Sequence, residues 1–520
     1  MQTDGESGLR LAELIAALSL GADLGLGQPM EHVLRQSLIA LRLAERLGLD
    51  ESERADLYYV SLLSWVGCHV DAYEQARWFG DDEALKADFR RVDGAGRVFV
   101  LQHLGAGRPW AERARVGLAF LGEGRRAAES MLENHWRAAD ALAAQLGLGQ
   151  AVRESLAQIF ERWDGKGTPG TAEGAGIPMA ARLVGLADVV EVYQRSGDVG
   201  AAVAVAKERR GTQFDPSLVD LFCAEAEELF AELDSVTTWD AVIGAAPPLD
   251  AVLSGPEVDH ALSAVAAFID LKSPFTLGHS VGVAELSEAA AKAWGLPGAD
   301  VRLVRRAALL HDLGRLGISN SIWDKRGALT ASERERIRLH PYLTERMLAF
   351  SPALAPLGAV AVQHHERLDG SGYPRGLSGD AQSPAGRILA AADTYHAKIE
   401  PRPHREEQSP GDAAAHLRAE ARAGRLDGEA VECVLDAAGH RARRRRQWPA
   451  GLTAREVEVL RLVARGHSTK EIAERLVISP KTARNHVQHV YTKIGVSNRA
   501  RASLYAAQHG LIAVLPDDTD

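Results

Sequence analysis

Seven side chains between positions 279 and 393 are of the types that hold divalent cations: His279, His311, Asp312, His340, His364, His365 and Asp393. Imidazole and carboxylate together suit Fe, Mn, Zn or similar ions, and no thiolate biases the set toward zinc. His311 and Asp312 are adjacent, and neighbours on a helix diverge by about 100°, so one can serve a single cation while the other bridges toward a second. Two divalent ions a few ångströms apart can activate water and steady the charge on a phosphoryl oxygen, which is phosphodiesterase chemistry. A single histidine is more often a core or surface residue than a ligand. Glu366, Asp369 and Asp380 are either partners that orient the histidines or solvated loop carboxylates. The three cysteines, Cys68, Cys223 and Cys433, lie too far apart in sequence for a thiolate ligand pair or a disulfide framework.

A second set of residues could read nucleic acid. Lys481, Arg484, Asn485 and Gln488 fall at spacings of three and four, opposite an apolar face of Ala483, Val487, Val490 and Ile494. These are cationic or bidentate types suited to phosphates and base edges. Residues 441–512 hold 15 Lys and Arg against 4 Asp and Glu, a surplus of 11 in a chain whose net charge is −10. An acidic body with a nucleic-acid-binding tail follows. The run Arg441–Arg446 is a solvated linker that could also contact phosphates.

The elements that must position these residues are helical. Apolar residues recur at three and four, as in Leu34, Leu38 and Leu41 or Leu303, Ala307 and Leu310, and no long period-two run occurs. At the C-terminal end, Thr453 with Glu456 and Ser468 with Glu471 fit the capping box, and Ser479-Pro480 opens a third helix. With the tight Val477-Ile478-Ser479 join this makes a helix-turn-helix within four short helices. The least charged early stretch, Leu11 to Gln28, is broken by Glu13, Asp23 and glycines, too polar for a membrane span. A cytoplasmic protein with no membrane partner is expected.

The chain also repeats itself. Glu161–Pro169 matches Glu366–Pro374 at an offset of 205, which also pairs His135 with His340, Arg182 with Arg387 and Asp188 with Asp393. An offset of 247 pairs His32 with His279 and Leu62–Gly67 with Leu309–Gly314, so the first copy carries an insertion of about 42 residues between Gly67 and His135. Ser64-Trp65 stands where the second copy has His311-Asp312, and Ile159-Phe160 where it has His364-His365. The first copy has therefore lost any metal site, and His32, His135 and Asp188 are structural leftovers. The expected organisation is an N-terminal segment (1–24), a degenerate module (25–235), a metal-binding module (255–405), a linker and helical connector (406–450) and the tail domain (451–513).

Residues 270–405 resemble an HD-GYP domain: Lys272–Ser280, His311-Asp-Leu-Gly-Arg315, His340-Pro341, His364–Gly376 and Ala392-Asp393 carry the likeness. The resemblance implies an all-α module that hydrolyses cyclic di-GMP or a related nucleotide at a metal site held by the seven residues above. Asp312 and Arg315 would be catalytic, and Arg315, Gly370, Gly372, Tyr373 and Pro374 would meet the substrate. Three departures stand out. Arg315 replaces the usual lysine, keeping the charge but not the geometry. Phe275 replaces a glutamate that supports a third metal in some members, so two divalent ions such as Fe or Mn are expected. Arg402-Pro403-His404 stands for Arg-Pro-Tyr.

Residues 452–512 resemble a LuxR-type DNA-binding domain through Leu452–Leu460, Lys470–Ala473, Ser479–Thr482 and Lys493–Gly495. That likeness implies Arg484, Asn485 and Gln488 as base readers, Lys481, Thr482 and Lys493 as phosphate contacts, and a homodimer paired by the fourth helix on a roughly palindromic DNA site. The expectation is an all-α regulator: tandem HD modules whose cyclic dinucleotide substrate or ligand changes how the tail engages DNA. A non-enzymatic LuxR-type transcription factor, with modules that sense a ligand or form the dimer, is the rival.

Overall fold

The apolar residues at helical spacing become buried faces. Leu34, Leu38 and Leu41 lie inside on helix His32–Arg46, as do Ala307 and Leu310 on helix Gly298–Leu310. A computed structural model describes residues 8–89, 97–248, 250–440, 449–476, 478–509 and 511. The run Arg441–Arg446 and Val477 lie outside the described residues. The chain is all-α, and among the described residues the strand pair consists of Leu9–Arg10 antiparallel to Val252–Leu253. The chain divides into two units, residues 1–440 and 441–520.

In the first unit the two sequence copies are not separate globules. One continuous core runs through both. Helix Leu11–Gly25, the greater part of the segment ahead of the first module, packs against the turn Leu313–Gly317 of the second copy. The approach is close enough that a Cβ on Gly25 would sit 2.8 Å from the Leu316 carbonyl oxygen. The matching helix of the second copy, Pro256–Asp270, reaches back to the first: His69 Nε2 lies 3.0 Å from the Phe268 carbonyl oxygen, with the rings 4.6 Å apart. Asp23 and Asp270, one repeat apart, accept the backbone N–H of Val33 and Ser280. A Cβ on Gly167 or on Gly372 would meet the nitrogen of Arg162 or Arg367 at the same 2.4 Å, so the two repeat loops share one shape.

The insertion in the first copy folds as helices Ala72–Phe79, Asp82–Phe89 and Arg97–His103 with the start of Trp110–Gln145, around a small core of Trp78, Phe79, Leu85, Phe99 and Leu104. Its helix Ala72–Phe79 packs on the four-residue helix Asn320–Trp323 of the second copy. Helices Pro410–Arg422 and Gly428–Ala437, in the stretch expected as a connector, pack on the body's helix Pro384–Ile399, and the second also on His279–Trp294.

The second unit contains helices Ala454–Ala464, Thr469–Arg475, Pro480–Ile494 and Arg499–Gln508 around Leu452, Val457, Leu460, Ile472 and Val490. Both capping boxes form, and Ser479 caps the third helix by accepting the Thr482 N–H. Among the described residues no helix is long and apolar enough to cross a membrane.

Candidate metal centre and nucleic-acid interface

All seven predicted ligands converge. His279 begins helix His279–Trp294, His311 and Asp312 follow helix Gly298–Leu310, His340 begins His340–Leu348, and Asp393 projects from Pro384–Ile399. Asp312 sits at the centre. Its Oδ1 lies 3.4 Å from His340 Nε2 and 3.8 Å from His364 Nε2, and its Oδ2 lies 3.5 Å from His311 Nε2 and 3.8 Å from His279 Nε2. Asp393 closes the other side, 3.4 Å from His279 Nε2 and 3.7 Å from His365 Nδ1.

The imidazoles are held for ligation. His311, His340 and His364 each present Nδ1 at 2.6 Å to the carbonyl oxygen three residues back, leaving Nε2 turned inward. Such second contacts fix the tautomer of a metal-bound histidine. His311 Nε2 is buried without a hydrogen-bond partner, an uncompensated polar atom that a cation would satisfy. The donors group into His340, His364 and His365 on one side and His279, His311 and Asp312 on the other. Chemistry, burial and the orphaned nitrogen all fit divalent cations.

Electrostatics agree. Burial pushes His340 down to about 4 and His364 to about 3, so both are neutral and able to donate a lone pair. Burial also opposes charge on Asp312, but Arg315 and the surrounding imidazoles outweigh it and hold the carboxyl well below its ordinary range. Burial would depress His279, yet Asp393 and Glu400 raise it to about 9. A cation there would displace that proton.

Arg315 gives Nη1 to Asp312 Oδ2 at 2.6 Å, and its guanidinium lies 4.1 Å from the ring centroid of Trp323. It lines a cavity of about 620 Å³ with His279, Asp312, His365 and Asp393. The cavity wall also carries Lys325, Arg326, Arg334, Arg402 and Arg405, cations suited to a polyanion. None of these was singled out from sequence except Arg402, whose Arg-Pro-His context was noted without a role.

Among the described residues the cavity wall does not include Gly370, Gly372, Tyr373 or Pro374. Gly370 takes φ +79°, whereas Gly372 is required because a side chain would strike its own loop. The Tyr373 ring packs tilted against His365, 4.8 Å between centroids, so the loop braces that imidazole. Glu366 accepts the N–H of Arg375 and Leu377, Asp369 the N–H of Ser371, and Asp380 a bond from Arg387, so these carboxylates shape loops and do not orient the histidines. That orienting role belongs to Glu400, which lies 2.9 Å from His279 Nδ1 and which sequence reading missed.

At the equivalent place the first copy is packed with side chains. Trp65 donates Nε1–H to Gln36 and packs 5.7 Å from Phe160, filling the site with rings. His32 pairs with Asp188 at 3.0 Å and Glu191 at 2.5 Å, and His135 Nε2 meets the Ser64 carbonyl.

On the third helix of the tail, Lys481, Thr482, Arg484, Asn485 and Gln488 are exposed while Ala483, Val490 and Ile494 are buried and Val487 half-buried. Lys493 differs: its ammonium binds Glu456 Oε2 at 2.7 Å and the Gly451 carbonyl, tying the third helix to the first.

Comparison with known proteins finds a family match in each of the two units. The HD domain family model matches residues 124–218 and 263–430, and that of bacterial regulatory proteins of the luxR family matches 450–506. The chain is 32% identical over 403 residues to 3'3'-cGAMP-specific phosphodiesterase 3 of Vibrio cholerae, covering 76% of this chain and 87% of that one. It is 35% identical over 182 residues to a cyclic di-GMP phosphodiesterase of Thermotoga maritima, 34% of this chain and 48% of that one. A crystal structure of a V. cholerae cyclic GMP-AMP-specific phosphodiesterase aligns with a TM-score of 0.58 at 27% identity, covering 84% of this chain and 99% of the other.

Proposed function

The chain belongs to the HD-domain family and ends in a luxR-family domain, and from that premise we propose that residues 255–405 hydrolyse a cyclic dinucleotide and that occupancy of this site sets how residues 451–513 engage DNA. The observation that carries the reading is the convergence of five imidazoles and two carboxylates, of which His279, Asp312, His365 and Asp393 line a cationic cavity. At about 620 Å³ the cavity falls in the size range of small-molecule sites, roughly 300–1,000 Å³.

Two divalent cations are proposed, one held by His340, His364 and His365 and one by His279, His311 and Asp312, with Asp393 between the groups. When bound, they supply activated water and charge neutralisation at phosphorus. Asp312 orders the site by facing histidines of both groups. Arg315, with five N–H donors of which Asp312 takes one, steadies the scissile phosphate. Lys325, Arg326, Arg334 and Arg402 on the wall match the second phosphate and exclude neutral ligands. The substrate is cyclic di-GMP or 3'3'-cGAMP, the nucleotides named for the relatives.

In the tail, Arg484, Asn485 and Gln488 read base edges and Lys481 and Thr482 meet phosphates, all from the exposed face of one helix. Leu504 on helix Arg499–Gln508 is 58% exposed and suits pairing with a second copy, giving a homodimer on a palindromic site.

The test is metal analysis of the purified chain with hydrolysis assays on both nucleotides. Bound metal with turnover of at least one is the expected result, and Asp312→Ala abolishes that turnover. Bound metal with no turnover of any cyclic dinucleotide would make the protein a ligand-sensing transcription factor.

A further inference from the structure

The wall of the cavity is held from the other copy. Residues 319–338 contribute ten of its twenty-one lining residues, including Trp323, Lys325 and Arg334, yet they form only the short helices Asn320–Trp323 and Ala331–Arg338 joined by a loop. A four-residue helix has almost no stability of its own. Two consecutive carboxylates from the first copy's insertion hold its two ends. Fully buried Asp82 accepts the Ser319 hydroxyl at 2.7 Å and the Asn320 N–H at 2.9 Å. Glu83 pairs with Arg336 at 2.6 Å.

The clasp is anchored on both sides. Lys86, one turn along the same helix, meets Asp82 Oδ2 at 3.1 Å. Asn320 donates to the Lys272 carbonyl and to Asp324, and Lys272 Nζ reaches the Leu316 carbonyl. The supported helix ends in Trp323, whose ring carries the guanidinium of Arg315. The other clasped helix carries Ile337, whose carbonyl oxygen faces His340 Nδ1 at 2.6 Å. Burying a charged carboxylate between two copies is costly unless it is fully bonded, and Asp82 is.

We infer that Asp82 and Glu83 are positioning residues: the metal-free copy holds the phosphate-binding wall of the metal-bearing copy through them, fixing Arg315 and Trp323. This rests on the reading of that cavity as the hydrolytic site. It gives the degenerate module a part in the reaction without a ligand of its own.

The experiment uses the full chain and the variants Asp82→Ala, Asp82→Asn, Glu83→Ala and Arg315→Ala. Asp82→Ala leaves metal content unchanged and lowers kcat/KM about 10- to 100-fold, the size of effect expected from a small misplacement of a phosphate-binding group. Asp82→Asn, which keeps an acceptor oxygen for Ser319 and Asn320, restores most of it. In the Arg315→Ala background Asp82→Ala costs less than in the wild type, because part of its effect is the placing of Arg315. Amide hydrogen exchange supplies the readout independent of turnover: residues 319–338 exchange faster in Asp82→Ala and Glu83→Ala, while 384–399 do not change. Unchanged exchange at 319–338, or equal losses with and without Arg315, overturns the inference. If Asp82→Ala does not fold, Glu83→Ala carries the same outcomes. A wild-type chain that hydrolyses no cyclic dinucleotide refutes the proposed function instead, and the exchange result still decides whether the clasp exists.

Discussion

His32 and His279 occupy equivalent places in the two copies and have met opposite fates. Each is buried and each faces an equivalent aspartate, Asp188 or Asp393. His279 opens onto a cluster of imidazoles, whereas His32 is closed in by Glu191, with Arg35 and Arg195 on that carboxylate's outer side. Burial depresses His32, but Asp188 and Glu191 outweigh it and push it up to about 9 from an ordinary 6.5. A raised imidazole contributes its full stabilisation below pH 6.5 and loses it as pH rises through about 9, a swing on the order of 3 kcal/mol. The stability gap between wild type and His32→Asn, followed by denaturant melts, should be widest near pH 6 and shrink by pH 9.5. A gap independent of pH would mean His32 is neutral in the fold. At the equivalent site, Glu400→Gln should weaken metal affinity roughly 10- to 100-fold in a competitive chelator titration, since it removes the charge orienting His279. The seven converging residues were legible in sequence because coordination demands particular residue types. Glu400 was not, because a carboxylate that orients a histidine is chosen by where one helix turn faces another, and its type and spacing look like any other acid. Tyr373 was legible as part of a motif, but not its packing against His365, which depends on how the loop folds back.

At the scale of elements, the starts of the tail's first three helices were readable because their caps are local: Thr453, Ser468 and Ser479 each bond an N–H three residues ahead. The insertion's helices and the four-residue helix Asn320–Trp323 were not, since their positions come from contacts between copies more than two hundred residues apart in sequence. Lys493 shows the same limit within one domain. The LuxR-type likeness implies a phosphate contact for it, but only the packed domain brings it to Glu456, whose carboxylate already closes the capping box on Thr453. Lys481→Ala and Lys493→Ala should therefore diverge. Losing Lys481 should weaken binding about equally on all DNA sequences and lower the magnitude of the salt slope by about one. Losing Lys493 should lower the melting temperature of the tail and leave the slope nearly intact for whatever remains folded. Equal changes in slope from both would return Lys493 to the DNA.

For the molecule as a whole, charge is divided more sharply than composition reveals. Residues 441–520 carry a surplus of eight positive charges and residues 1–440 a deficit of eighteen. The tail has a hydrophobic core built from its own residues, from Leu452 to Leu511, so it can be studied as a fragment. A body of the same sign as DNA, tethered to a DNA reader, must disfavour binding by a repulsion that salt screens, with a Debye length of about 10 Å at 0.1 M. Counterion release makes both proteins bind more weakly as salt rises, but the full chain also sheds repulsion. The ratio of fragment affinity to full-chain affinity should thus be largest at low salt and fall as ionic strength increases, measured by anisotropy on one DNA duplex. Mutual support of two full-length bodies in a dimer would add a factor that does not depend on salt in this way, so the trend separates the two effects. A cyclic dinucleotide brings two negative charges into the cavity and divalent cations bring positive ones, so loading with metal alone should reduce the repulsion and tighten DNA binding by the full chain, leaving the fragment unchanged. If metal moves the fragment as much as the full chain, the charge of the body does not govern how the tail binds.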